Sequence, residues 1–349
     1  MTLVETNNPA DAQKSANLPA PAIFLQLLLG KHITYSLSAV ARLGVADHMG
    51  TAPVEIHELA RKTGANPPSL YRVMRMLASV GVFEEVPEKC FGLTPVGQLL
   101  KTDAPGSLRY SAIQFGDQWS TRPWEHFTDT IRTGENGVSK AFGKNVFELF
   151  AEEPEQAEVF NRSMTNISAA MVDPIVSAYD FSSIDRLADV GGGHGMLLAS
   201  ILTRHPHMQG VLYDLPEVVA GAGSKSHFAG CKARVQIEAG SFFERVPSGC
   251  DAYIMKFILH DWSDDHCRQI LSAIRKELPS NGRILLCEQV VADEPGLAKL
   301  VDIEMLAMTV GGKERTVTEF SDLFSSAGLR LAQVFRTESP LCILEARLA

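Results

Sequence analysis

The chain predicts a doubly wound α/β domain behind a mostly helical N-terminal region. Three observations carry that prediction. Arg186 to Asp214, RLADVGGGHGMLLASILTRHPHMQGVLYDL, reads as strand, glycine turn, helix and strand, one βαβ unit closed by an acid. Beyond it, apolar strand-like runs alternate with amphipathic helices to the end, the pattern of a mainly parallel sheet covered on both faces. Val54 to Leu100 has another texture, two short helices followed by a small hairpin.

In chain order, Met1 to Pro19 is rich in Asn, Ala, Thr and Pro and reads as a loose tail. Ala22 to Met49 is helical, with Ile23, Phe24, Leu27, Leu28, Ile33, Leu37, Val40, Leu43 and Val45 around much of its circumference. A helix apolar nearly all round needs burial on several sides, here in a subunit interface. Ile56 to Thr63 is a helix stopped by Gly64, and Asn66-Pro67-Pro68-Ser69 opens the next, which Gly81 ends. Val82 to Val86 and Phe91 to Leu93 form the hairpin, so the region is winged-helix-like. Its Arg61, Lys62, Arg72, Arg75 and Lys89 are offset by Glu55, Glu58, Glu84, Glu85 and Glu88, which does not suit a reader of phosphates.

Asp103 to Tyr179 is mostly helical, broken at Thr133-Gly134-Glu135-Asn136-Gly137. After the βαβ unit, Val235 to Ala239, Asp251 to Phe257 and Arg283 to Val290 are strands three to five. Ser263 to Leu278 and Leu297 to Met308 are helices, and Thr316 to Glu319 is a capping box opening another. Leu331 to Arg336 and Leu341 to Arg347 read as a closing hairpin, and an antiparallel edge is allowed in such a sheet. The expected domains are a tail over 1–19, a winged-helix-like domain over 20–105, a helical linker and pocket segment over 106–179, and a ligand-binding domain over 180–349.

Composition narrows the class. The chain has 349 residues, 45% hydrophobic and 21% charged, enough for a sizeable core. A net charge of −9 and a pI near 5.6 argue against a nucleic-acid surface as the main business. The six cysteines form no C-x-x-C, and no Cys/His cluster has zinc spacing, so no metal is expected. Dispersed thiols and the lack of a signal-peptide pattern suggest the cytoplasm. The longest apolar stretches are expected to fall short of a membrane span.

The glycine turn narrows the ligand. A dinucleotide fingerprint, G-x-G-x-x-G, would put its last glycine at Met196; here it falls at Gly195, after Gly191 and Gly193. Asp189 precedes the turn, where a carboxylate would repel a pyrophosphate but suits an ammonium group. Asp214 stands where an acid can take both hydroxyls of a ribose. D-x-G-x-G-x-G with a following acid resembles the S-adenosylmethionine site of the class I methyltransferases.

Three further sites stand at strand ends on the ligand side. They are Ile258-Leu259-His260-Asp261-Trp262, Glu288 inside an apolar strand, and Gly311-Gly312-Lys313-Glu314-Arg315-Thr316. A carboxylate buried like Glu288 needs a partner. A histidine flanked by two carboxylates is a base held and oriented.

With DVGGGHG, YDLP, KFILHDWSDDHC, GRILLCEQV and GGKERT in order, the chain from Ala22 to its end resembles the plant caffeate-type and bacterial small-molecule O-methyltransferases. The resemblance implies a Rossmann-like class I methyltransferase domain behind a winged-helix-like dimerisation domain, a homodimer, and methylation of a hydroxyl on an aromatic small molecule. It implies His260 as general base with Glu288 and Glu314 beside it, Asp214 and Leu215 at the ribose, Gly191 under the methionine part, and Lys256 helping to hold the cofactor. Asp261 and Trp262, with Phe160 and Met164 in FNRSM, are expected to touch the acceptor. One position departs: the family carries an acid then an apolar residue at the adenine, and this chain has Ser241 then Phe242. Two other readings stay open, a small-molecule-responsive DNA-binding regulator and a methyltransferase fold turned to N-methylation, hydroxylation or decarboxylation.

Overall fold

A computed structural model describes residues 18–224 and 226–349. The expected tail lies outside them except for its last two residues. The chain divides into two compact units. One comprises the described residues up to Thr121 with Glu155–Asn166; the other is Arg122–Pro154 with Ile167–Ala349. The stretch 106–179 is thus shared between the units, and the 25-residue helix Pro154–Ala178 contributes to both.

In the first unit, helices Ala20–Leu28 and Gly30–Arg42 meet at Leu29. Helix Ile56–Thr63 starts where Glu55 accepts the His57 and Glu58 N–H groups, and stops at Gly64 with φ +69°. Asn66 caps helix Pro67–Ser79 through the Ser69 N–H. The hairpin is a three-stranded antiparallel sheet: β1 (Val54–Glu55) and β2 (Phe83–Val86) flank β3 (Cys90–Leu93). Strand β1 was not expected; two residues are too short to show alternation. Val40, Val45, Met49, Leu59, Met74, Leu77 and Phe91 form the core here.

Ala20–Arg42 is long and apolar enough, by length and composition, to cross a membrane, which corrects the expectation that no stretch reaches that length. The two helices are separated by Leu29 alone, at φ −84° and ψ 0°, so two short apolar runs add up. Among the described residues nothing covers Phe24, Leu25, Leu27 and Leu28, which are all more than half exposed.

The second unit is built on a seven-stranded sheet of order β6-β5-β4-β7-β8-β10-β9. Its strands are β4 (Arg186–Val190), β5 (Gln209–Asp214), β6 (Val235–Ala239), β7 (Ala252–Lys256), β8 (Arg283–Gln289), β9 (Leu329–Arg336) and β10 (Leu341–Leu348). The first five are parallel, and β10 pairs antiparallel with both β8 and β9. Alternate residues feed opposite layers. Leu187, Ile254, Leu285 and Cys287 enter one core, while Ala188, Tyr253, Met255 and Leu286 enter the other. Strands buried on both faces need not alternate apolar with polar, which is why they read as continuous apolar runs. The chain leaves β4 toward β5 on one side, and β7 lies on the other. That switch point opens a crevice at the carboxyl ends of the central strands.

Candidate active site

The glycine turn fills the β4–β5 side of the switch point. Gly191, Gly193 and Gly195 have φ of +70°, +58° and +81°, a backbone path that side-chain-bearing residues rarely follow. A Cβ at Gly191 would lie 2.4 Å from Ile258 Cδ1 and 3.7 Å from Phe242 Cε1, so the turn leaves a narrow slot there. Both Asp214 oxygens are anchored: Oδ2 accepts the Gly193 N–H at 2.8 Å and Oδ1 the Leu215 N–H at 2.7 Å. Burial raises its pKa against those bonds. Asp189 is buried, and its Oδ2 has no hydrogen-bond partner among the described residues. Burial pushes its pKa up to about 7, opposed by the Lys256 charge. Lys256 is itself pushed down by burial, and its Nζ donates to Ser168 Oγ at 2.7 Å. A buried carboxylate oxygen with nothing to accept from is costly, so it fits a ligand that brings a cationic or N–H group.

The β7–β8 side holds His260. It sits on the turn Leu259–Asp261, reached through Phe257, whose φ is +55°. The Phe257 ring stacks on the imidazole at 5.2 Å. His260 Nδ1 lies 2.8 Å from Glu314 Oε1, and Nε2 lies 3.6 Å from Asp261 Oδ1. Glu288 Oε1 accepts the Ile258 and Leu259 N–H groups at 3.0 and 2.9 Å, which holds the turn from below. Ligand atoms of His260, Glu288 and Glu314 lie within 4.8 Å of one another. Burial alone would pull the imidazole down, but Asp261, the Glu314 bond and Glu288 outweigh it and push it up to about 10. Burial pushes Glu288 up to about 7, against the pull of His260, and raises Asp261 as well.

The loop bearing Glu314 is fixed by backbone fit. A Cβ at Gly312 would fall 2.4 Å from the His260 carbonyl oxygen, and Gly311 has φ +80°. Asp302 Oδ1 accepts the Glu314 N–H at 2.9 Å. Arg315, fully buried, ties the parts together: Nη1 donates to Leu259 O, Nη2 to Trp262 O, and Nε and Nη2 to Asp264 Oδ1.

The structure therefore brings together His260, Glu288, Glu314 and Asp261, and separately Asp189, Asp214, Lys256 and the glycines. Phe242 and Trp262 stand edge to face, their ring centroids 6.2 Å apart. Ser241 Oγ accepts the Phe243 N–H at 3.3 Å, so its hydroxyl is turned onto its own backbone. Phe160 stands edge-on to Trp119 at 5.9 Å and Met164 is half-buried; both belong to the first unit. Sequence reasoning placed Asp261 at the acceptor and missed it as the third carboxylate at the imidazole. It also gave no role to Arg315, Asp302 or Phe257. The run Lys313-Glu314-Arg315 in a glycine loop was the available signal, since a cation beside a buried acid is itself a candidate for burial.

A doubly wound sheet with antiparallel β10 set between β8 and β9, D-x-G-x-G-x-G at the switch point and an acid ending the next strand is the arrangement of the class I methyltransferases. Residues 124–330 match the O-methyltransferase domain, and residues 25–103 the O-methyltransferase dimerisation domain. The chain belongs to that O-methyltransferase family and is an S-adenosylmethionine-dependent enzyme. It is 39% identical to the phenazine O-methyltransferase PhzM of Lysobacter antibioticus, over 98% of each chain. The solved structure of the mitomycin 7-O-methyltransferase MmcR superposes with a TM-score of 0.87 at 32% identity, covering 97% of this chain and 100% of that one. CalO1, a methyltransferase of calicheamicin biosynthesis in its SAH-bound form, gives 0.84 at 33% identity, covering 95% and 100%.

Proposed function

We propose that the enzyme methylates a hydroxyl of an aromatic secondary metabolite, with His260 taking the hydroxyl proton. The carrying observation is the buried imidazole bonded through Nδ1 to Glu314, with Glu288 and Asp261 beside it. The named substrates of the relatives, a phenazine and a mitomycin, are of the same aromatic or quinonoid kind.

Bound S-adenosylmethionine supplies a methyl group on a sulfonium that departs as a neutral thioether. Asp214, with Leu215 beside it, would hold the ribose, and the free oxygen of Asp189 would answer the ammonium group. Gly191, Gly193 and Gly195 would leave room for the backbone to pass close by, Phe242 and Ser241 would border the adenine, and Lys256 would balance the acids. The remaining difficulty is the nucleophile. A phenol near pKa 10 and an ordinary histidine near 6.5 differ by about 3.5 units, roughly 5 kcal/mol uphill. The three carboxylates raise the imidazole to about 10, which levels donor and acceptor for the unprotonated histidine while making that form the minor one near neutral pH. Nδ1 stays bonded to Glu314, so Nε2 is the atom that receives the proton. The resulting imidazolium remains beside Asp261 and holds the phenolate in line.

Asp261 and Trp262 are proposed to border the acceptor. The exposed face of Ala20–Arg42 within the dimerisation domain is proposed to pack on a second copy, giving a cytoplasmic homodimer with 20–105 as its dimerising part. Lys62 pairs with Glu58, and Arg75 and Lys89 lie over the Tyr71 ring, so these cations are already engaged, against a nucleic-acid role. The test is transfer of a labelled methyl group from S-adenosylmethionine to a panel of aromatic alcohols and matched anilines. Labelled ethers support the reading; labelled amines alone, or no transfer with the cofactor bound, overturn it.

A further inference from the structure

A bulky residue beside the base stands in a backbone position that does not suit it. Phe257 follows β7 and has φ +55°, in the left-handed region that glycine enters freely and a phenylalanine enters only under strain. The surroundings enforce it. The Phe257 N–H donates to Cys287 O at 3.2 Å, and the next N–H, that of Ile258, donates to Glu288 Oε1 at 3.0 Å. Bonds to two successive residues of β8 thus bracket the turn. Backbone geometry alone would favour glycine here. Core burial does not account for the phenylalanine either, because its side chain is only half-buried, at the edge of one core. A strained residue held in place beside a reactive group points to a role for its side chain.

The ring has two neighbours that suit such a role. It lies nearly parallel to the His260 imidazole, with 28° between the planes and 5.2 Å between the centroids. The Lys256 ammonium lies over the same ring, 4.9 Å from its centroid. The face of a benzene ring is electron-rich and attracts a cation. The other groups around the imidazole are carboxylates: Asp261 on its own turn, Glu288 on β8 and Glu314 on the glycine loop. Glu314 holds Nδ1 by one bond. A single bond leaves the imidazole free to roll about it, and a ring stacked on the imidazole removes that freedom.

We propose that Phe257 is a positioning residue for the base, its π face fixing the plane of the His260 imidazole and stabilising the imidazolium formed when Nε2 takes the acceptor proton. The strained turn is what keeps the ring there. The three carboxylates supply the larger part of the stabilisation, and the ring adds a smaller part in the same direction. The proposal rests on His260 being the base, and the experiment separates the two.

The imidazole is titrated by NMR in the full chain loaded with S-adenosylhomocysteine, a readout that needs no turnover. The His260 signals are identified by their loss in His260→Gln. Pentafluorophenylalanine placed at position 257 nearly keeps the shape of the ring and reverses the sign of its face. It should lower the His260 pKa by about 0.5–1 unit. Phe257→Leu keeps apolar bulk without a π face and should shift the titration the same way, while Phe257→Tyr should leave it at the wild-type value. The inflection of kcat/KM should move with the NMR titration. If the leucine variant does not fold, the fluorinated ring decides. A titration that the fluorinated ring does not move overturns the proposal. So does an effect confined to the acceptor KM, which would make Phe257 a wall of the acceptor site and nothing more. Turnover of His260→Ala is scored separately. Turnover near wild type sinks the reading of His260 as base, whatever the titration does. Lost turnover with an unmoved titration sinks the Phe257 proposal alone.

Discussion

The two sides of the switch point use acids in opposite ways. On the β4–β5 side, Asp214 accepts two backbone N–H groups, one from its neighbour and one from the turn 21 residues earlier. On the β7–β8 side, Glu288, Glu314 and Asp261 surround one imidazole, and Glu314 is 54 residues from His260 in the chain. The first side is a local clamp on Asp214, with Asp189 Oδ2 left without a hydrogen-bond partner among the described residues. The second is assembled from three distant segments, and its acids converge on the histidine, Glu288 also holding the turn through the Ile258 and Leu259 N–H groups. The difference teaches that binding and proton chemistry are physically separable here, one side being governed by backbone shape and the other by buried charge.

If so, His260→Ala should remove turnover and spare binding. A general base is worth about 10²–10⁴-fold, and cofactor affinity measured by calorimetry should stay close to wild type. The loss should shrink for acceptors of lower phenol pKa, which arrive already ionised. Loss of cofactor binding in step with turnover would break the separation.

The carboxylates sharpen the same point through pH. The imidazole must lose its own proton before it can take another, so kcat/KM should rise with pH, with an inflection well above the ordinary imidazole value. In Glu314→Gln the charge that helps raise it is gone. The inflection should move to lower pH, and the rate at its plateau should fall about tenfold or more, as one charge-assisted bond is worth. Stability carries the same sign. A group whose folded pKa is raised stabilises fully below its unfolded value and loses that contribution as pH rises through about 10. An inflection unmoved by the glutamine would assign it to a different group.

On the other side, Asp214→Ala should weaken the cofactor by about 1.5–3 kcal/mol, since two hydroxyls lose a charged acceptor and the Gly193 and Leu215 N–H groups lose theirs. The pH inflection of kcat/KM should not move. A shift there would mean that the two sides share their charge.

What the sequence disclosed follows the same division. The βαβ unit was legible because Gly191, Gly193, Gly195 and Asp214 lie within one short stretch whose periodicity and turn chemistry are local. Helices such as Ile56–Thr63 and Pro67–Ser79 were legible for the same reason, having a capping residue, a glycine stop or a clear period. The β7–β8 side was only half legible. His260, Glu288 and Glu314 could be named at strand ends, but not the third carboxylate, nor Arg315 reaching from the loop to Leu259 and Trp262. The Arg315 contacts span more than 50 residues and leave no periodic trace, while Asp261, adjacent to His260 in sequence, was read at the acceptor because adjacency does not show which way a side chain turns. The extent of the imidazole shift was out of reach as well, because it depends on burial that no spacing encodes.

The smallest effect is expected at Ser241, and it tests whether the binding side extends beyond the clamp. The turn here is already fixed: Gly240 N–H donates to Asp214 O, and a Cβ at Gly240 would collide with the Tyr213 hydroxyl at 2.4 Å. The Ser241 hydroxyl adds one long bond to the Phe243 N–H. Aspartate in its place can accept that same N–H and keep a second oxygen directed out of the turn. Ser241→Asp should therefore preserve the turn and tighten the cofactor by about 0.5–1.5 kcal/mol, a gain of about twofold to thirteenfold by calorimetry, with products unchanged. The opposing effect is repulsion from Asp214, whose carboxylate is already disfavoured by burial. Ser241→Ala separates the two, because it removes the hydroxyl without adding charge. If alanine is neutral and aspartate weakens binding, repulsion dominates and serine is the residue this particular clamp tolerates. If both are neutral, the turn after β6 is not in contact with the cofactor, and the binding side ends at Asp214.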